Sequence, residues 1–326
     1  MVDYSTSCKV SIAPMMDWTD RHCRYFMRLL APSAFLYTEM VTAAAVHHGD
    51  VDHLLAFDRS EHPIALQLGG SDPLLMAQAA QRASEFGYDE ININVGCPSD
   101  RVQSGQFGAC LMAQPDVAAR CFRAMQRDID IPVTVKSRIG IDDMDSYEFL
   151  AGFVDALAAA GCQKFIVHAR IALLDGVSPK DNRSIPPLNY ERVYRLKRDH
   201  PELEIVLNGG VTSIGQVDDI LQHVDGVMIG RQAYHQPYFL AELEKHFHPE
   251  WVMPERRAIV EKMLLYIDGE LKGGESLSRI TRHMLGLFAG MPGARAWRRH
   301  ISDHAHREGA GPEVLVDALN AMPVAA

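Results

Sequence analysis

Apolar and polar positions follow a regular rhythm along the first 230 residues. Short runs rich in β-branched and other apolar residues fall at 10–15, 35–40, 63–68, 90–95, 132–137, 164–169, 204–208 and 226–230. Between them lie longer stretches with apolar residues at helical spacing, at 74–86, 115–127, 147–160, 190–199 and 214–222. Buried-type strands alternating with amphipathic helices predict a parallel α/β architecture. An open doubly wound sheet would alternate in the same way. The count of eight strand candidates, and the polar residues at the C-terminal end of nearly every one, favour closure into a (β/α)8 TIM barrel.

Those strand ends carry Pro14-Met15-Met16-Asp17, Glu39, Gln67, Asn92 and Asn94, Lys136 and Arg138, His168 and Arg170, Asn208-Gly209-Gly210, and Gly230-Arg231. In a barrel the loops at that rim build the active site, and buried apolar strands need no polar tips for stability. After Phe247 the pattern changes. Segments 255–271, 277–287, 294–303 and 313–319 read as helices, separated by Gly273-Gly274, Pro292-Gly293 and the breakers at 309–312. The expected organisation is a catalytic barrel over 1–247 and an all-helical domain over 248–326.

Composition narrows the class. The 326 residues are 47% hydrophobic and 23% charged, ordinary values for a globular protein, and no stretch approaches the roughly 18 uninterrupted apolar residues of a spanning helix. The N-terminus, MVDYSTSCKVSIAPMMD, lacks a basic region followed by an apolar one and does not read as a secretory signal. Six cysteines (Cys8, Cys23, Cys97, Cys110, Cys121, Cys162) form no CxxC pair and no zinc spacing, so reduced thiols, a cytoplasmic location and no metal are expected. A net charge of −10 argues against nucleic-acid binding by the bulk surface. Location matters more than the sum. Between Arg279 and Arg299 stand five arginines (Arg279, Arg282, Arg295, Arg298, Arg299) and no carboxylate, a local basic patch whose members could also serve as caps or ion pairs.

Three groups of residues suggest chemistry. NGGV (208–211) and IGR (229–231) end consecutive strands with glycine, where bare backbone N–H groups bind an anion. This is the usual phosphate position of such a barrel, and Arg231 adds a charge; plain turn glycines are the alternative. Gln67 can pair with an imide edge, Lys136 can stabilise negative charge on a reduced flavin, His168 ends the adjacent strand, and Pro14-Met15-Met16 can floor a flat ring. A structural, ion-paired lysine is the competing reading. Cys97, in NINVGCP, lies just past a strand end, after a glycine and before a proline. No base partner for a nucleophile presents itself. A free thiol, with a pKa of about 8.5, stays mostly protonated at neutral pH and can act as an acid. Reduction of a uracil C5=C6 bond needs hydride at C6 and a proton at C5. An inert buried thiol is the alternative, and in the helical contexts of Cys110 and Cys121 it is the preferred reading.

The segments APMMDWTDRHCR, YTEMVTAAAV, HPIALQLGGSDP, ININVGCPSDRVQSGQFGACLM, VTVKSRIGID, FIVHARIALLDGVSPKDNRSIPPL, VLNGGV and DGVMIGRQAY resemble the tRNA-dihydrouridine synthases. SPKDNRSIPPL and ARAWRRHIS are similar to the branch acting on uridine 20 or 20a of the D-loop. The resemblance spans nearly the whole chain. It implies FMN at the barrel mouth, contacted by Pro14, Met15, Met16, Gln67, Lys136, His168, Asn208, Gly209, Gly210, Gly230 and Arg231, with NADPH as reductant. It implies hydride transfer to C6 of an extruded uridine and Cys97 as proton donor to C5. Asn94, Lys180, Arg183, Arg295 and Arg298 match tRNA-contacting positions, and the family pattern implies a monomer. A flavin-dependent reductase of a free pyrimidine would share the barrel but need no arginine-rich helices. A tRNA-binding module without redox chemistry would leave Lys136, His168 and Cys97 unexplained.

Overall fold

The structure is a computed structural model that describes residues 9–323; Cys8 and the start of the stretch read for a signal lie outside them. Eight parallel strands, β1 (Val10–Ile12), β2 (Phe35–Thr42), β3 (Ile64–Gly69), β4 (Glu90–Val95), β5 (Val133–Arg138), β6 (Lys164–His168), β7 (Glu204–Asn208) and β8 (Gly226–Ile229), pair in chain order and close through β1 on β8. The expected TIM barrel is therefore present, with every strand within a few residues of its predicted place.

Local signals explain the helices between the strands. Pro73–Phe86 starts on the Asp72 side chain with proline in its first turn and stops at Gly87, which adopts a left-handed φ of 89°. Tyr147–Ala158, Tyr190–Asp199 and Ile214–Leu221 are capped by Ser146, Asn189 and Ser213, the last in a capping box with Gln216. The helix Arg21–Leu30 escapes the apolar pattern because buried His22, Arg24 and Arg28 occupy its inner face. Arg28 reaches forward to donate to the carbonyls of Ala31, Pro32 and Ala34, which holds the turn that follows that helix.

Alternate residues of the strands point into the barrel. Ala13, Phe35, Tyr37, Ala65, Ile166, Val206 and Met228 form an apolar interior cluster. At the N-terminal end, Lys164 pairs with Glu90 at 3.2 Å and Glu204 at 3.3 Å and sits 5.0 Å from the Phe35 ring centroid. Burial pulls the Lys164 ammonium down, but Glu90 and Glu204 outweigh it and leave its pKa raised. A buried charge is tolerated there because it is paired.

Among the described residues, 9–16 and 35–230 form one compact unit by their internal contacts, and 17–34 with 231–323 form the other. The segment between β1 and β2 thus groups with the C-terminal helices. Specific bonds account for this. Arg21 pairs with Glu270 at 2.5 Å, His22 bonds Tyr266 at 2.7 Å, Ser33 donates to Glu244 at 2.7 Å and Arg282 pairs with Asp20 at 2.6 Å. Trp18 also stacks on Tyr234 at 4.3 Å. In the second unit Arg256–Lys272, Ala294–His304 and Glu313–Asn320 are helices as expected, whereas the predicted 277–287 helix is a short α turn, Leu277–Thr281, followed by a 3-10 turn, Arg282–Met284. Among the described residues no helix is long and apolar enough to cross a membrane.

Candidate active site

The barrel closes Gln67 of β3, Asn92 and Asn94 of β4, Lys136 and Arg138 of β5, His168 of β6 and Asn208 of β7 into one polar layer at its C-terminal end. Lys136 reaches across to donate to the Asn208 side-chain oxygen at 3.1 Å, and Asn208 in turn donates to the Met228 carbonyl at 2.8 Å. Among the described residues no carboxylate bonds Lys136, so burial, reinforced by the charge of Arg138 and opposed by Cys97, pushes its ammonium down to about 7. A cation held on the edge of losing its proton is a receptor for a ligand that brings negative charge.

Cys97 lies on the loop after β4. The Asn94 side-chain oxygen accepts from the backbone N–H of Gly96 at 3.1 Å and of Cys97 at 3.0 Å, which seats the loop on its own strand. Arg138 donates to the Gly96 carbonyl at 3.1 Å, and the Ala109 N–H donates to the Cys97 carbonyl at 3.0 Å. Gly108, at φ 68°, makes this approach possible: a Cβ there would stand 2.7 Å from the Cys97 carbonyl oxygen and 2.3 Å from Val102. The half-buried Cys97 thiol donates to the Ser99 hydroxyl at 3.4 Å. Cys23, Cys121 and Cys162 are buried, and burial pushes the Cys121 and Cys162 thiols up to about 11 and about 12 and raises that of half-buried Cys110.

The glycine loops bare the backbone beside this layer. Gly209 and Gly210 follow β7 with φ 121° and 73°. A Cβ on Gly209 would meet the His168 ring at 2.7 Å, and one on Gly210 would meet Leu188 at 2.4 Å. The Tyr190 hydroxyl anchors the turn by donating to the Gly209 carbonyl at 2.6 Å. On the neighbouring strand a Cβ at Gly230 would touch only Ala13, at 3.9 Å. Pro14 and Met15 are half-buried, Met15 resting on the interior cluster, and Met16 is 53% exposed. The exposed Arg231 opens the helix Arg231–His235 directly after Gly230. Bare glycine loops on adjacent strands, a half-buried cation and the Gln67 amide suit a phosphorylated ligand with an imide edge.

Cationic side chains of the kind that grip phosphate occur in both units. In the barrel unit, the 3-10 turn Asp181–Arg183 carries Arg183 and follows Lys180, both exposed. Buried Asn182 holds that turn by donating to the Leu173 carbonyl at 2.8 Å and accepting from the Leu173 N–H at 2.8 Å, and its own carbonyl accepts from Arg138 at 3.1 Å. In the helical unit the five-arginine patch divides. Arg279 pairs with Glu275, Arg282 with Asp20 and Arg299 with Asp303. Arg295 and Arg298, three apart on one face of Ala294–His304, are exposed and have no side-chain partner among the described residues.

Asn182, Gln103 and Thr134 are absent from the sequence-derived site, although all three shape it, and Arg138 was read there only as a strand-end residue of the rim. Gln103 donates to the carbonyls of Pro98 and Leu174 at 2.8 and 2.7 Å and so ties the Cys97 loop to the loop after β6. One signal was available: Glu90, Asn92 and Asn94 recur at period two in EININV, so a strand expected to be apolar inside carries three polar residues on one face. Among the described residues no group of three His, Cys, Asp or Glu side chains could hold a metal.

The sequence model of the dihydrouridine synthase family matches residues 11–323. A tRNA-dihydrouridine(20/20a) synthase of Shewanella oneidensis is 59% identical over 307 residues, 94% of this chain and 91% of the relative. That of Vibrio cholerae is 58% identical over 319 residues, 97% of each, and that of Escherichia coli K12 is 56% identical over 319 residues, 97% and 92%. With a matching (β/α)8 barrel, a thiol seated at the barrel mouth and full-length relatives of this identity, the chain belongs to the dihydrouridine synthase family.

Proposed function

We propose that this chain reduces uridine 20 or 20a in the D-loop of tRNA to 5,6-dihydrouridine, with FMN as bound cofactor, NADPH as reductant and Cys97 as the proton donor. The observation that carries the reading is Cys97 itself, the half-buried thiol on the clamped loop beside Lys136 and Arg138. The 20/20a assignment draws on relatives of that name at 56–59% identity.

FMN fits the residues present: Gly209, Gly210, Gly230 and Arg231 for its phosphate, Gln67 for its imide edge, Lys136 for its negative charge when reduced, with His168, Asn208 and the Pro14–Met16 segment completing the seat. FMN held there and reduced by NADPH would supply the hydride for C6 of the uridine. The Cys97 thiol gives its proton to C5, so that one hydride and one proton saturate the C5=C6 bond. The thiolate left behind lies near the charges of Lys136 and Arg138, which stabilise it until solvent returns a proton. Asn94 holds the Cys97 loop and touches the extruded base or its backbone. Lys180 and Arg183 in the barrel unit, and Arg295 and Arg298 in the helical unit, take tRNA phosphates. The cations are local within each unit, which reconciles a net charge of −10 with a polyanionic substrate.

The deciding experiment is anaerobic. NADPH-reduced enzyme is mixed with unmodified tRNA or, separately, with free uracil, and flavin reoxidation is followed with dihydrouridine measured in the product. Reoxidation by tRNA alone is expected. Reoxidation by free uracil would instead indicate a small-molecule reductase.

A further inference from the structure

A continuous chain of side-chain hydrogen bonds runs inside the barrel from its N-terminal end to the Cys97 loop. Glu90 Oε1 accepts from the Tyr37 hydroxyl and the Thr134 hydroxyl, each at 2.7 Å. Thr134 Oγ1 accepts from Asn92 Nδ2 at 2.9 Å, Asn92 Oδ1 from Gln67 Nε2 at 2.8 Å, and Gln67 Oε1 from Asn94 Nδ2 at 2.8 Å. Asn94 Oδ1 then takes the N–H groups of Gly96 and Cys97. Tyr37, Glu90, Gln67, Asn92 and Thr134 are all buried, at 2% exposure or less.

The chain has one direction, and both of its ends impose it. A carboxylate paired with Lys164 only accepts, so the Thr134 hydroxyl must donate to it and can offer only a lone pair to Asn92. Asn92 therefore shows its NH2 to Thr134 and its oxygen to Gln67. Gln67 must show its NH2 to Asn92 and its oxygen to Asn94, and Asn94 its oxygen to the loop. Backbone N–H groups only donate, so the loop end requires the same sense. Reversing any amide would set donor against donor in a buried setting, where an unmade bond is expensive.

We infer that Glu90, Thr134 and Asn92 are positioning residues: they fix which edge the Gln67 amide turns to the flavin and, through Asn94, the seat of Cys97. The inference rests on the proposed roles of Gln67 and Cys97. None of the three positioning side chains needs to touch ligand. Thr134→Val keeps the shape but neither donates nor accepts, leaving the Asn92 NH2 without its acceptor. Glu90→Gln removes the acceptor-only end, since the new amide can donate to Thr134, and Lys164 keeps Glu204. Thr134→Ser preserves the hydroxyl.

Two readouts on the full chain need neither tRNA nor turnover. One is the dissociation constant for FMN, from quenching of flavin fluorescence on binding to flavin-free protein. The other is the rate at which iodoacetamide alkylates Cys97, followed by mass spectrometry of the Cys97 peptide in flavin-free protein across pH. For Thr134→Val and Glu90→Gln we expect FMN binding roughly fivefold weaker and Cys97 alkylation roughly three- to tenfold faster, as one buried hydrogen bond of about 1 kcal/mol is lost or scrambled. Thr134→Ser is expected to return both values to within about twofold of the unaltered chain. Unchanged values in Thr134→Val and Glu90→Gln, or a Thr134→Ser that behaves like Thr134→Val, overturn the inference. Failure of the unaltered chain to reduce tRNA would defeat the underlying reading separately, because neither binding of FMN nor thiol reactivity depends on it.

Discussion

Lys136 Nζ donates to Asn208 Oδ1 at 3.1 Å, and among the described residues that neutral oxygen is its sole hydrogen-bond partner. Most buried lysines have a carboxylate, as Lys164 has in Glu90 at the other end of the same barrel. The two lysines accordingly shift in opposite directions, Lys164 upward and Lys136 down to about 7.

A stability signature follows from the sign of the Lys136 shift. Between about 7 and its ordinary value of 10.5 the unfolded chain holds a proton that the folded, flavin-free chain does not. Its burial therefore destabilises the fold fully below about pH 7, and the penalty fades as pH rises toward 10.5. Flavin-free Lys136→Met should melt higher than the unaltered chain near pH 6, with the gap closing on the alkaline side. Melting curves across pH decide this, and a pH-independent gap would mean that the folded lysine keeps an ordinary pKa.

Binding of FMN should draw a proton onto Lys136 near pH 8, because the ligand brings negative charge to the cation. Titration calorimetry in two buffers of different ionisation enthalpy measures that uptake. Lys136→Met should abolish it and weaken FMN binding by about tenfold or more, which corresponds to the loss of one charge-assisted contact.

Cys97→Ala is expected to keep FMN and tRNA affinity within about twofold while turnover on unmodified tRNA falls by about 10²-fold or more, the usual weight of a general acid. Stopped-flow reoxidation and flavin content measured on the same preparation separate the two effects. Loss of flavin together with turnover would make Cys97 a structural residue.

Arg295→Ala and Arg298→Ala should each weaken tRNA binding and lower the slope of log affinity against log salt by about 0.7–0.9. Arg299→Ala, which removes a side chain already paired with Asp303 at 3.5 Å, should change the slope less. Filter binding between low and physiological salt gives all three slopes. Equal slopes for the three variants would count against a special role for the unpaired arginines.

Gly209→Ala should lose flavin. Its φ of 121° is unfavourable to any side chain, and the added Cβ would stand 2.7 Å from the His168 ring. Strain of about 1–3 kcal/mol is expected for such a residue, enough to displace either His168 or the loop. The ratio of flavin to protein after purification is the measurement, and a full complement of flavin would show that the loop yields at no penalty.

The strands and most of the helices were legible in the sequence because they rest on local rules. Apolar runs of strand length, caps such as Asp72 and Ser213, and stop glycines such as Gly87 act within a few residues of where they are written. Cys97, Lys136 and the glycine pairs were likewise readable as candidates, since unusual residues at consecutive strand ends mark a barrel rim. Partner choice is a different matter. Arg279, Arg282, Arg295, Arg298 and Arg299 look equivalent in the chain, yet three find carboxylates and two do not, and Arg282 finds its partner 262 residues away at Asp20. The helix 21–30 was obscured because polar His22, Arg24 and Arg28 share its buried face with Cys23, Phe26, Met27 and Leu30, and His22 finds Tyr266 and Glu275 more than 240 residues on. The directed chain from Glu90 to Cys97 exists only once β2, β3, β4 and β5 stand side by side, because a buried amide has no preferred direction until its neighbours on both sides are known.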